Sequence, residues 1–130
     1  MIVLKKIVIK KLTVDLNSNI LKTIKILNDS TIKIVFVVNK RNNNFIGTVT
    51  DGDIRRALLR GIKINSNLSS VVYKKPIYIN FVKFSHEAIK KKFTETGQEF
   101  IPILKEKKIV KIFRNIDKII QKPNKAIDNL

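Results

Sequence analysis

Gly47, Thr50 and Asp53 fall at three-residue intervals in the run Gly47-Thr48-Val49-Thr50-Asp51-Gly52-Asp53-Ile54-Arg55-Arg56, the part of this sequence richest in chemical options. The run follows an apolar stretch and opens into a helical pattern, so it reads as strand, sharp polar turn and helix start. Thr50 and Asp53 have the S/T-x-x-D spacing of a capping box. The N-terminus of a helix offers unpaired backbone N–H groups and partial positive charge, and can hold an anion. Gly47 and Gly52 let backbone bend or approach closely without a Cβ clash. Locally, Thr50 and Asp53 read equally as a cap and as a ligand contact, and the two roles are compatible. Arg55 and Arg56 either meet phosphates or stay solvated. Asp51 and Asp53 lack a third ligand and fall short of a calcium loop, so no metal site is expected. His86, the single histidine, has no partner in a triad spacing. The chain alone is expected to be no enzyme.

The composition narrows the classes further. A chain of 130 residues, 44% hydrophobic, is long enough for a real core. The absence of cysteine removes thiol catalysis, disulfides and thiolate metal sites. No stretch has the length of a membrane span, and the N-terminus has no signal-peptide pattern, so a cytoplasmic setting is the default expectation. The net charge of +17 and pI near 10.3 raise nucleic-acid binding as an alternative. The lysines alternate with Ile and Val through nearly every element rather than forming one block, which weakens that alternative.

The periodicities predict the elements. Ile7–Ile9 alternates with lysine as a short strand or extended arm. Ile20, Leu21, Ile24 and Leu27 give a helix that ends near Asn28. Strands are expected over 32–38 and 45–49, joined by a polar turn, with a helix over 54–59 and Gly61 at its C-terminus. The second half repeats the order: a strand over 76–81, a helix from an N-cap at Ser85 to Gly97, strands over 100–104 and 109–113, and a short helix over 115–120. Residues 65–75 read as a linker. The copies lie about 65 residues apart, and neither is large enough to bury a core alone.

This arrangement resembles a tandem cystathionine-β-synthase (CBS) domain pair, or Bateman module, over almost the whole chain. The resemblance implies an α+β fold of two βαββα repeats, 1–64 and 65–130, packed pseudo-symmetrically through their sheets. In that family each repeat carries Gly-x-x-Thr/Ser-x-x-Asp; the first repeat has it whole as Gly47, Thr50 and Asp53. The second keeps only Asp117, with Lys111 and Arg114 at the other two positions, while Ile101-Pro102 matches the family's middle strand. The run from Gly47 to Gly61 further resembles the CBS pair that precedes a sugar-nucleotide pyrophosphorylase domain, as does Lys122-Pro123-Asn124 near the end.

The resemblance implies a regulatory module that binds an adenine nucleotide between the repeats and controls an attached or associated nucleotidyltransferase. Its site would comprise Gly47, Thr48, Thr50, Asp53 and Arg56, with Tyr78 and Ile79 as a wall. Asp53 would hold the ribose, and Thr50 with the helix start the first phosphate. A weaker second site would use Ile101, Pro102, Arg114 and Asp117. The residues leave AMP, ADP, ATP and S-adenosylmethionine open. A homodimer is expected, and the alternative from another class is a structural dimerisation module with an empty cleft.

Overall fold

The computed structural model describes residues 1–117. These divide into two compact units. The first holds residues 5–76 with 106–109; the second holds residues 1–4 and 77–105 with 110–117.

In the first unit, helix α1 (Lys6–Leu12) leads into strand β2 (Thr13–Asp15), helix α2 (Ile20–Asp29), strands β3 (Ile34–Asn39) and β4 (Asn44–Thr50), and helix α3 (Asp51–Leu59). The sheet runs β2-β3-β4, with β2 parallel and β4 antiparallel to β3. Both faces of β3 are covered, so Val35, Phe36, Val37 and Val38 are all buried and the sequence shows a continuous apolar run. Asn19 caps α2 by accepting from the Lys22 N–H at 2.8 Å. Ile20 and Leu27 are buried, whereas Leu21 faces solvent.

The second unit begins with β1 (Ile2–Val3) and continues with β5 (Ile79–Asn80), a 3-10 turn over Phe81–Lys83, α4 (His86–Thr96), β6 (Phe100–Lys105) and, from Val110 on, β7 (Lys108–Arg114). Its sheet runs β1-β7-β6-β5. Ser85 caps α4, and Gly97, at φ 68°, ends it in the left-handed conformation that glycine adopts cheaply. Ile79, Ile89, Phe93, Ile101, Ile103 and Phe113 form the core.

Four expectations change. Residues 7–9 are helical rather than a strand or arm: Val8 and Leu12, four residues apart, form one face, and a three-residue apolar run between lysines does not distinguish the two. The strand expected over 76–81 shrinks to Ile79–Asn80. Pro102 in β6 has no N–H to give, and β5 joins β6 only beyond it, at Ile103 and Leu104. Residues 65–75 are no linker. Leu68, Val71 and Val72 are buried in the first unit's core, and Tyr73 adds one antiparallel bridge to Thr48 at the outer edge of β4. The compact units therefore part between 76 and 77 rather than between 64 and 65, and residues 1–4 join the second because β1 pairs with β7. Of the helix expected over 115–120, Ile116 and Asp117 are helical, and its remaining residues, like Lys122–Asn124, lie outside the described ones.

Candidate functional site

The chemistry concentrates where β4 meets α3. Strand β4 ends at Thr50, whose extended backbone (φ −113°, ψ 169°) aims its side chain back over the first turn of α3. Thr50 Oγ1 accepts from the Asp53 N–H at 3.2 Å and donates to Asp53 Oδ2 at 3.0 Å. The Thr50 N–H donates to the same Oδ2 at 2.9 Å, which closes the capping box. The other oxygen, Oδ1, accepts from Arg56 Nη2 at 2.8 Å. The Asp53 side chain is 19% exposed and that of Arg56 65%, so this last partner is the one solvent can replace.

A carboxylate offers about four lone-pair directions. Three are engaged among the described residues, and the remaining capacity lies on Oδ1 beside the exposed Arg56 side chain. Such an oxygen can accept from a sugar hydroxyl, either beside Arg56 or in its place. The guanidinium also spans the helix start: a Cβ on Gly52 would stand 3.2 Å from Arg56 Nη1. Asp51 and Arg55 are exposed on the same turn.

Gly47 and Thr48 lie one step back on β4 and are committed to Tyr73. The Thr48 N–H donates to the Tyr73 carbonyl at 3.2 Å and the Tyr73 N–H to the Thr48 carbonyl at 2.9 Å. A Cβ on Gly47 would stand 1.9 Å from the Tyr73 carbonyl oxygen. The close approach that this glycine permits is thus to the chain's own backbone. Tyr78 and Ile79 belong to the second unit, where Tyr78 is exposed, Ile79 is buried and both line a cavity of about 450 Å³.

The counterpart positions in the second unit differ. Ile101 and Pro102 are buried in β6. Arg114 ends β7 and is held by Glu99: Nε donates to Oε2 at 2.9 Å, and Nη2 reaches the same oxygen at 2.7 Å. Its guanidinium also lies 5.1 Å from the centroid of the Phe100 ring. Asp117 is exposed, and its N–H is taken by Asn115 Oδ1. Sequence reasoning missed Glu99. The readable signal was opposite charge at the two ends of one hairpin, immediately before β6 and on the last residue of β7. His86, the first residue of α4, is exposed and sits edge-on to Phe84 and Phe113. Among the described residues, no group of three or more His, Asp or Glu side chains is placed to hold a metal ion, and no helix is long and apolar enough to cross a membrane.

Residues 4–60 match the family model of the CBS domain. The match covers 57 of the 130 residues, those of the first repeat. Solved structures extend the likeness in fold. OpuCA from Staphylococcus aureus superposes with a TM-score of 0.71 at 13% identity, over 98% of this chain and 97% of that one. A CBS domain protein from Pyrobaculum aerophilum complexed with AMP gives 0.66 at 11% identity, over 90% and 88%. GMP reductase from Trypanosoma brucei gives 0.66 at 15% identity, over 82% of this chain but 24% of that one. No curated protein matches the chain. The fold over nearly its whole length is that of a CBS domain pair, two small sheets with flanking helices.

Proposed function

We propose that this CBS module is a regulatory element that binds an adenine nucleotide through the start of α3. The observation that carries the reading is the Thr50–Asp53 pair. It presents one carboxylate oxygen whose one partner among the described residues, Arg56, is an exposed side chain. Asp53 would accept from the ribose hydroxyls, and a charged hydrogen bond of this kind contributes about 1.5–3 kcal/mol. Arg56, released from Asp53, would turn to the phosphate. The AMP in the Pyrobaculum aerophilum protein supports the ligand class.

The nucleotide would act by binding one conformation of the module more tightly than another, which is all that a ligand can contribute to a switch. The match to about a quarter of the GMP reductase chain supports a role beside an enzyme. The run Gly47–Gly61 favours a sugar nucleotidyltransferase as that enzyme. The exposed Leu58 and Leu59 on α3 support a homodimer formed through helices.

Thermal unfolding with AMP, ADP, ATP, GTP, CTP and S-adenosylmethionine tests the reading. A ligand at 100 times its Kd adds about 2.7 kcal/mol, which raises the midpoint by on the order of 10 °C for a domain of this size. The expected shift is confined to adenine compounds. Asp53→Ala should weaken the best of them by about 10–100-fold. Unchanged affinity in that variant sinks the site assignment. No shift with any compound reduces Thr50 and Asp53 to a helix cap and favours the dimerisation module.

A further inference from the structure

We propose that the second unit carries a separate site for a small phosphate-chain ligand, in the cavity between β5 and α4. The cavity holds about 450 Å³ and is lined by Tyr78, Asn80, Lys83, Lys91, Lys92 and Glu95, among others. Its volume falls within the usual span of small-molecule pockets, about 300–1,000 Å³. Among the described residues strand β5 is the last in its sheet, with no strand on its outer side, and Asn80 is exposed. Helix α4 turns Ile89 and Phe93 into the core, which sets Lys91, Lys92 and Glu95 on the flank that borders the cavity.

Charge selects the ligand class. Three ammonium groups meet one carboxylate at this cavity. That carboxylate, on Glu95, stands 3.8 Å from Lys91, with both side chains more than half exposed. Such a pair contributes little and is easily opened. The side chains of Lys83 and Lys92 take part in no ion pair among the described residues. Lysines act as compact point charges with three donors each, which suits the several oxygens of a phosphate chain. The exposed ring of Tyr78 offers a flat apolar surface beside them for the organic part of a nucleoside di- or triphosphate. Asp53 is not among the residues that line this cavity.

Isothermal titration of the full chain with sodium tripolyphosphate, at low salt, tests this. Binding is expected, competed by ATP and not by adenosine. The double variant Lys83→Gln/Lys92→Gln should raise the Kd by about tenfold or more, through the loss of two charged contacts. Asp53→Ala should leave it within about twofold, so failure here is distinct from failure of the adenine-nucleotide reading. Glu95→Gln, which removes the one carboxylate and leaves the lysines in place, should tighten binding about threefold and is read even if the double variant unfolds. Three results would overturn the proposal: no binding at millimolar tripolyphosphate, equal affinity in the double variant, or a single-stranded RNA oligomer that binds more tightly than tripolyphosphate with a steep salt dependence.

Discussion

Thr50 and Arg114 occupy the same place in two hairpins of nearly the same build. Each is the last residue of a seven-residue strand, β4 or β7. The preceding strand buries its four central residues in both, Val35–Val38 in β3 and Ile101–Leu104 in β6. The offset between the copies is 66 residues at the helices (20 to 86) and at the first strands (34 to 100). Yet one strand end presents a hydroxyl and a carboxylate over a helix start, and the other closes on itself through Arg114 and Glu99. Packing fixed the scaffold twice, and the residue at the strand end decided what each copy offers to solvent. The first keeps an oxygen that an exposed arginine can surrender. The second spends its charged group on an ion pair whose members are both under 20% exposed.

The glycine position tests the contrast most severely. Gly47→Val places a side chain where the Tyr73 carbonyl stands, since even a Cβ would come within 1.9 Å of it. The two Thr48–Tyr73 hydrogen bonds must break or the strand must move, at about 2–4 kcal/mol. Lys111→Val, at the matching place in β7, should shift stability by no more than about 0.5–1 kcal/mol, because Lys111 is exposed. Urea unfolding of both variants checks the pair. Equal losses would mean that Gly47 does not serve the backbone approach.

The ion pair comes next. Arg114→Ala leaves Glu99 partly buried without this partner and should cost about 2 kcal/mol. Arg114→Lys should recover only part of that, since an ammonium lacks the planar fork and stacks less well on Phe100. Neither change should alter nucleotide affinity by more than about twofold. A large loss of nucleotide binding in Arg114→Ala would instead make the second strand end part of the site.

A smaller effect is expected at the cap. Thr50→Ala removes the acceptor of the Asp53 N–H and should cost about 1 kcal/mol. Asp117→Ala, whose side chain closes no such box among the described bonds, should cost less than about 0.5 kcal/mol. Chemical denaturation of the two variants side by side reads the difference.

The same contrast explains what the sequence made legible. Thr50, Asp53, Ser85 and Gly97 act through neighbours within four residues, and local spacing announced all of them. The burial of β3 was equally plain, because five apolar residues in succession, Ile34 to Val38, have few other uses. Tyr73 and Glu99 act across 25 and 15 residues, Tyr73 on Thr48 and Glu99 on Arg114, and no short-range pattern marks them. Helix α1 was lost for a different reason. Its short apolar run Ile7-Val8-Ile9, flanked by lysines, fits a strand as well as a helix, and the burial of Leu12 goes with the helix. The hold of Arg56 on Oδ1 breaks this division: it is only three residues from Asp53, but its spacing suits a solvated or phosphate-facing side chain equally well.

The hairpin turns offer the finest comparison. The first turn spans 40–43 and places Asn43 at φ 61°; the second is the pair Glu106-Lys107, at φ 51° and 69°. Positive φ at both positions is the pattern of a two-residue type I′ turn, whose twist suits the flanking strands and which favours Asn-Gly. Asparagine tolerates this region, but a long side chain pays a steric penalty there. Lys107→Gly should therefore stabilise the protein by about 0.5–1 kcal/mol, the relief of strain exceeding the entropy that glycine adds to the unfolded chain. Asn43→Gly should change stability by only a few tenths of a kcal/mol. Thermal unfolding of the two variants separates the cases. A gain at Asn43 as large as that at Lys107 would show that the side chain, not the turn length, was irrelevant to the strain, and that both turns owe their geometry to the strands they join.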